Sequence, residues 1–149
     1  RQNKSGNNKQ HSGEQPSELT QWPIQLHLIS PAAPYFQNCD LLVAADCTAF
    51  AVGSFHRDLL KDKKLVIACP KLDETSNYVE KLTALLQHNR VNSLTVAIMS
   101  VPCCRGLNAM VEKAVELSGK EIEVKNIVID LKGEMSEGKV QSKFGLPVF

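Results

Sequence analysis

Three apolar runs without polar alternation constrain the fold of this chain more than any other feature. They occupy residues 40–46, 64–68 and 93–101. Such runs are typical of strands buried on both faces, the usual environment of a parallel strand. Helical spacing of apolar residues lies between and after them, at 50–60, 74–89 and 106–118, with Asp73 as the expected N-cap of the second helix. Residues 24–29 and 124–131 complete the pattern as two further strands.

The alternation of strands and helices predicts an α/β domain. The expected fold is a three-layer sandwich with a mostly parallel sheet of about five strands, Rossmann-like or flavodoxin-like, with right-handed crossovers. We assign this domain to residues 19–133. Residues 1–18 hold almost no apolar side chains, which predicts a disordered tail or linker, and residues 134–149 are interpreted as a C-terminal tail.

Composition narrows the classes of function. The formal net charge is +1 and aromatic residues make up 5% of the chain, so neither an electrostatic nor a stacking surface for nucleic acid is expected. No run approaches the roughly 20 apolar residues of a membrane span. The five cysteines are an odd number, which fits reduced thiols in a cytoplasmic protein better than a disulfide framework.

Cysteines follow all three of the buried runs. Cys47 and Cys69 come directly after the first and second runs, and Cys103 and Cys104 follow Pro102 after the third. Because the carboxyl ends of parallel strands share one edge, where α/β sheets bind ligands, these thiols are expected to gather there. Thiolates are soft ligands that suit iron–sulfur clusters, zinc or copper(I). The alternative, that the cysteines only pack as small apolar residues, stays open.

Other residues near this edge are weaker candidates. His56 is a further possible ligand near Cys47, and Asp46 either tunes that thiol or caps the next helix. Cys39 precedes its strand and is left out of the site. The helix beginning at Gly106 would bring its N-terminus, which favours anions, to the same edge. The chain has no Walker loop, GxGxxG fingerprint or CxxCxxC run.

Five stretches carry a resemblance to a known family. They are SELTQWPIQL at 17–26, AADCTAF at 44–50, FHRDL at 55–59, ACPKLD at 68–73 and VPCCRGL at 101–107. Together they resemble iron–sulfur-binding proteins of anaerobic and facultative bacteria, usually described as 4Fe-4S ferredoxins or iron–sulfur cluster-binding oxidoreductases. The resemblance covers residues 17–133. Members usually carry a ferredoxin module before this region, and this chain does not contain that module.

The resemblance implies a cofactor and a partner. Cys47, Cys69, Cys103 and Cys104 would bind a 4Fe-4S cluster, with zinc as the alternative and His56 nearby. The implied partner is a redox protein or a ferredoxin module. The first hypothesis is therefore an electron-transfer domain, in which case the chain could form part of an iron–sulfur oxidoreductase. A metal-free thiol enzyme or sensor, and a non-catalytic docking domain with structural zinc or packed cysteines, are the alternatives.

Overall fold

The computed structural model describes residues 14–138 and the backbone of two short strands beyond them. The strands and α-helices, in chain order, are β1 (Cys39–Ala45), α1 (Thr48–Ala51), β2 (Lys64–Ala68), α2 (Tyr78–His88), β3 (Val91–Met99), α3 (Gly106–Ser118), β4 (Val124–Ile129), β5 (Met135–Glu137), β6 (Val140–Gln141) and β7 (Leu146–Pro147). Short 3₁₀ turns occupy Leu26–Leu28, Pro34–Phe36 and Pro102–Cys104, and a π-helical segment occupies Phe55–Leu60. Within the described residues, no helix is long and apolar enough to cross a membrane.

The main sheet has the strand order β2-β1-β3-β4-β5. The first four of these strands are mutually parallel, and β5 runs antiparallel to β4. This is the doubly wound, flavodoxin-like order, so the predicted three-layer α/β fold is confirmed. The chain leaves β1 toward β2 on one side and later returns to β3 on the other. The carboxyl ends of β1 and β3 therefore form the switch point of the sheet, where such folds bind ligands.

Strand β1 forms the centre of the core. Its residues Leu41, Leu42, Val43 and Ala44 are all 0% exposed, as the unbroken apolar run predicts. Helices α2 and α3 pack against each other. Right-handed crossovers place these two helices on one face of the sheet, and the connection from β1 to β2 on the other.

The predicted strand at 24–29 is wrong. The chain makes one isolated bridge there, between Gln25 and Ile67, and then turns into the 3₁₀ segment Leu26–Leu28. The side-chain oxygen of Gln25 accepts a hydrogen bond from the backbone N–H of His27, which favours this turn over an extended chain.

Residues before this turn cover the free edge of β2 instead of adding a strand to it. The side-chain amide of Gln21 donates to the carbonyl oxygen of Leu65 at 2.7 Å and accepts from the backbone N–H of Leu65 at 3.1 Å. The backbone N–H of Ile67 donates to the carbonyl oxygen of Ile24 at 2.8 Å. The apolar run at 24–29 thus borders the sheet without forming a regular ladder with it.

Two helices differ from their predicted bounds in the structure. The helix expected at 50–60 is divided into α1 and the π-helical segment, with Gly53, a weak helix former, between them. The helix expected at 74–89 begins at Tyr78, because Asp73 forms bonds to the preceding loop and does not cap α2.

Strand β5 lies in the region interpreted as a C-terminal tail. A tight turn produces it: the carboxylate of Asp130 accepts from the backbone N–H groups of Lys132 and Glu134, both at 2.9 Å. Gly133 in this turn has a φ of +88°, and a Cβ there would lie 2.4 Å from the carbonyl oxygen of Ala51. The turn therefore packs directly on α1. Of the tail or linker predicted at residues 1–18, the part up to residue 13 lies outside the described residues, as do the side chains after residue 138.

Candidate functional site

The four cysteines that the sequence analysis selected all lie at the carboxyl edge of the sheet. Cys47 comes two residues after β1, Cys69 comes directly after β2, and Cys103 and Cys104 lie in the 3₁₀ turn after β3. Because β1 and β3 are neighbours, the loops carrying Cys47 and the Cys103–Cys104 pair border the switch point. Cys69 lies one strand further out, on the β2 side.

These thiols differ in their exposure. Cys47 and Cys103 are exposed, Cys69 is partly buried, and Cys104 is buried with 6% of its surface exposed. The exposed thiols are open to solvent and to a reaction partner. Two large apolar side chains near these thiols are also exposed. Phe50, in α1 after Cys47, is 91% exposed, and Leu72, in the loop after Cys69, is 83% exposed.

The pKa of Cys104 depends on the other two thiols at the switch point. Burial raises the pKa of the Cys104 thiol to about 11, and a hydrogen bond with the Met99 backbone offsets part of that effect. Negative charge on Cys103 or Cys47 raises the pKa of Cys104 further, and Cys103 also shares a hydrogen bond with it. Cys103 and Cys47 therefore both act on the Cys104 thiol.

Cys69 is held by polar contacts with Asp73. The carboxylate of Asp73 accepts from the backbone N–H of Cys69 at 2.9 Å, and the backbone N–H of Asp73 donates to the carbonyl oxygen of Cys69 at 2.8 Å. The same carboxylate accepts the hydroxyl proton of Tyr78 in a hydrogen bond. The ring of Tyr78 lies 5.0 Å from that of His27, centroid to centroid.

The electrostatics of this network follow from its hydrogen bonds. Burial would raise the pKa of Asp73, but hydrogen bonds from Tyr78, Cys69 and Gln25 outweigh burial and lower that pKa. Burial, followed by the bond to Asp73, raises the pKa of Tyr78. Asp73 is thus a carboxylate that fixes the Cys69 loop to the start of α2, a role that the sequence analysis missed.

Asp46 lies beside Cys47 without capping the helix that follows. Helix α1 has no side-chain capping bond, and the carboxylate atom Oδ1 of Asp46 is buried without a hydrogen-bond partner in residues 14–138. Burial, and then the charge of Asp73, raises the pKa of Asp46. Thr48 closes the loop instead, donating from its hydroxyl to the carbonyl oxygen of Ala45 at 2.8 Å.

His56 and Cys39 occupy other places in the fold. The ring atom Nδ1 of His56, in the π-helical segment, accepts from the backbone N–H of Glu18 at 3.0 Å. This bond leaves Nε2 as the nitrogen available to a ligand. Cys39 begins β1, at the amino edge of the sheet and away from the other four thiols, as expected.

The donor types at the carboxyl edge suit a soft metal, but their spacing in this conformation is not that of a finished site. Thiolates are the usual ligands of iron–sulfur clusters and of structural zinc. In the described part of the chain, no group of three or more His, Cys, Asp or Glu side chains is placed to hold a metal ion. Any metal bound by these thiols would require a rearrangement of their side chains.

Asn108 is a further polar residue that the sequence analysis did not select. It lies in the first turn of α3 and is 1% exposed, yet neither its amide nitrogen nor its amide oxygen has a hydrogen-bond partner in residues 14–138. Each such unsatisfied group costs about 1–3 kcal/mol. The sequence pattern that could have indicated its burial is its place on the apolar face of α3, next to Leu107, Val111 and Ala114.

The fold and the position of the site define a doubly wound α/β domain with a cysteine-lined carboxyl edge. The chain belongs to the Rossmann-like domain family, which matches residues 33–146. It is also 34% identical over 116 residues to a protein of Archaeoglobus fulgidus described as uncharacterized, an alignment that covers 78% of this chain and 81% of that protein. No solved structure matches the chain. The family match agrees with the fold, and neither the family nor the archaeal protein is described in terms of iron–sulfur chemistry.

Proposed function

We propose that this Rossmann-like domain is a redox domain whose centre is built from the thiols of Cys47, Cys103 and Cys104, with Cys69 as the fourth ligand of an iron–sulfur cluster or another metal. One observation carries the proposal: Cys47 follows β1, and Cys103 and Cys104 follow the neighbouring strand β3, so that all three thiols border the switch point of the sheet. That point is where folds of this kind bind their ligands. A bound cluster would supply one-electron transfer.

The protein's own groups would support such a centre. The backbone of the Cys69 loop is already fixed by Asp73, so that only the side chain has to turn. The thiols of Cys47 and Cys103 are exposed and are not joined in a disulfide, which leaves them available as ligands. The N-terminus of the thirteen-residue helix α3 follows the cysteine pair, and its dipole favours the negative charge of thiolates.

The electron donor in this proposal is a redox protein or a ferredoxin module. It would approach the carboxyl edge, where two of the four thiols are exposed.

The deciding experiment measures iron, zinc and acid-labile sulfide on protein purified without oxygen and reconstituted with iron and sulfide. We expect bound iron and sulfide that are lost when any of Cys47, Cys69, Cys103 or Cys104 is changed to Ser. Cys39→Ser is the matched control, because Cys39 is also a reduced, buried thiol but lies at the other edge. Zinc without sulfide would indicate a zinc centre on the same ligands. An absence of both metals in reconstituted wild-type protein would rule out the metal centre.

A metal-free thiol function is the second candidate, favoured by the two adjacent free thiols Cys103 and Cys104, of which Cys103 is exposed. An exposed thiolate, Cys103 or Cys47, would attack a disulfide of a substrate and form a mixed disulfide, releasing one substrate thiolate. A second thiol of the cluster would then attack the mixed disulfide, closing an internal disulfide and releasing the second substrate thiol. Two electrons and two protons pass from the protein to the substrate.

This candidate is tested with a model disulfide such as oxidised glutathione. We expect an internal disulfide among Cys47, Cys103 and Cys104, detected by mass spectrometry of peptides from the unreduced protein. Single Cys→Ser variants should trap the mixed disulfide on the attacking thiol. A protein that remains fully reduced over hours, while its exposed thiols still react with iodoacetamide, would exclude this function.

A further inference from the structure

Asn108 is the buried polar side chain that the proposed function does not use. It is 1% exposed, and both polar atoms of its amide lack partners among the described residues. Buried polar groups in native proteins are nearly always hydrogen-bonded, so that an unpartnered pair requires a physical reason. A partner that arrives only when the site is occupied is one such reason.

The position of Asn108 relates it to the thiol centre. The chain is helical from the turn Pro102–Cys104 through Arg105, whose φ and ψ are −60° and −32°, into α3. Asn108 is four residues after Cys104, so the two side chains share one side of this helical stretch. Side chains in a helix lean toward its N-terminus, which directs the amide of Asn108 back toward Cys104.

Cys104 has no bond to this amide in the present conformation. Its hydrogen bonds are with the Met99 backbone and with Cys103. Cys104 is itself buried, with 6% of its surface exposed, so water is largely kept from both groups. The amide of Asn108 and the sulfur atom of Cys104 thus lie on the same side of the helical stretch but form no hydrogen bond with each other.

We propose that Asn108 is a hydrogen-bond donor to the occupied thiol centre: its amide N–H groups donate to the sulfur of Cys104, or to a ligand atom bound beside it, when the centre is occupied. This inference rests on the proposed function and deepens it, because hydrogen bonds to ligand sulfur atoms set metal affinity and reduction potential. Asn108 is then a positioning residue of the centre and not one of its ligands.

The experiment pairs a stability measurement with a metal titration on the full chain. The probe is Co²⁺ added without oxygen and followed by thiolate-to-cobalt charge-transfer absorption. Asn108→Leu keeps the branching of the Asn side chain and should raise the urea midpoint of the metal-free protein because it removes two unsatisfied groups. The same variant should weaken cobalt binding by roughly 10- to 100-fold, the usual cost of losing a partner around a metal site. Asn108→Ala should weaken binding similarly and provides a second variant should Leu not fit.

Asn126→Val is the matched control. The side-chain oxygen of Asn126 is also buried and unpartnered in residues 14–138, but Asn126 lies in β4 opposite Val96, in the middle of the sheet. We expect this control to keep the cobalt affinity of the wild type.

The outcomes separate this inference from the proposed function. Equal cobalt affinity in the wild type and both Asn108 variants overturns the role of Asn108 and leaves the metal centre standing. If the metal-free Asn108→Leu and Asn108→Ala proteins are both less stable than the wild type, Asn108 serves the empty fold, and the inference is also overturned. A wild-type protein that binds no cobalt overturns the metal centre, and the ligand-facing role of Asn108 with it.

Discussion

The two halves of the carboxyl edge hold their cysteines in different ways. On the β2 side, the backbone N–H and C=O of Cys69 are both bonded to Asp73, which is bonded in turn to Tyr78. At the switch point, Cys47 and Cys103 are exposed, and Cys104 is held mainly by burial. The β2 half is fixed by a carboxylate bonded to the backbone of its cysteine, whereas the switch point combines the burial of Cys104 with the bond from Thr48 to Ala45.

This difference indicates which half would respond to a ligand. The backbone groups of Cys69 are satisfied and gain little from further contacts, and the described residues of that network hold one unsatisfied buried atom, Nε2 of His27. The switch point contains three such atoms, one in Asp46 and two in Asn108. We therefore expect the β2 side to act as a rigid support and the switch point to change on binding.

Gly133→Ala should produce the largest effect, on the switch-point side. The φ of +88° disfavours Ala, and its Cβ would lie 2.4 Å from the carbonyl oxygen of Ala51 in the helix after Cys47. We expect a loss of about 3 kcal/mol in the free energy of unfolding, measured by urea denaturation. Gly53→Ala is the control: no atom lies within 4 Å of the new Cβ, so a change within about 0.5 kcal/mol is expected. Similar losses in both variants would contradict the packing of this turn on α1.

Asp73→Ala should produce the next largest effect, on the β2 side. The change leaves the N–H of Cys69 and the hydroxyl of Tyr78 without their acceptor, at a cost of about 2 kcal/mol in the free energy of unfolding. Asp73→Asn should lose less, since its amide oxygen still accepts. Glu121→Ala, at an exposed acidic residue, is the control for the loss of a carboxylate. An Asp73→Ala protein as stable as this control would show that the bonds contribute nothing.

Thiol labelling should separate the switch-point cysteines by more than about tenfold in rate, because Cys104 is buried and its pKa is raised to about 11. Iodoacetamide at pH 8, followed by peptide mass spectrometry, should modify Cys47 and Cys103 first and Cys104 far later. Cys39 is an internal reference, since burial also raises its pKa to about 11. Labelling of Cys104 as fast as that of Cys103 would refute this packing.

The acid response should show the smallest effect. The lowered pKa of Asp73 contributes stability that is present above the ordinary value of 3.8 and is lost as the pH falls through the folded-state pKa. Asp73→Asn has no such group, so its stability should fall less between pH 5 and about pH 2. Urea midpoints measured across this range test the prediction. Parallel curves for the two proteins would show that Asp73 titrates alike when folded and unfolded.

The sequence predicted the fold through its buried strands, because a short apolar run without alternation usually forms a strand that is buried on both faces of a sheet. It also placed Cys47, Cys69, Cys103 and Cys104 at one edge, since that followed from chain direction alone. It misjudged residues 24–29, whose apolar side chains border the sheet without pairing regularly. It missed β5, whose three residues are all exposed and show no apolar pattern.

The roles of individual polar side chains could not be predicted in the same way. Asp73 is a plausible N-cap by its position before a helical pattern, but only the path of the loop brings its carboxylate to the N–H of Cys69. Asn108 resembles any polar residue of an amphipathic helix, and its burial depends on how α3 packs. Such roles depend on contacts between distant parts of the chain, which periodicity does not encode.

The pairing of Gln21 with Leu65 has a consequence for behaviour at high concentration. An outer strand of a sheet offers unpaired backbone groups to neighbouring molecules, which is a common start of aggregation. Here one glutamine amide occupies both backbone groups of Leu65 and imitates an additional strand at that point. Gln21 therefore helps to keep separate molecules from joining edge to edge, and solubility depends partly on a residue remote from the thiols.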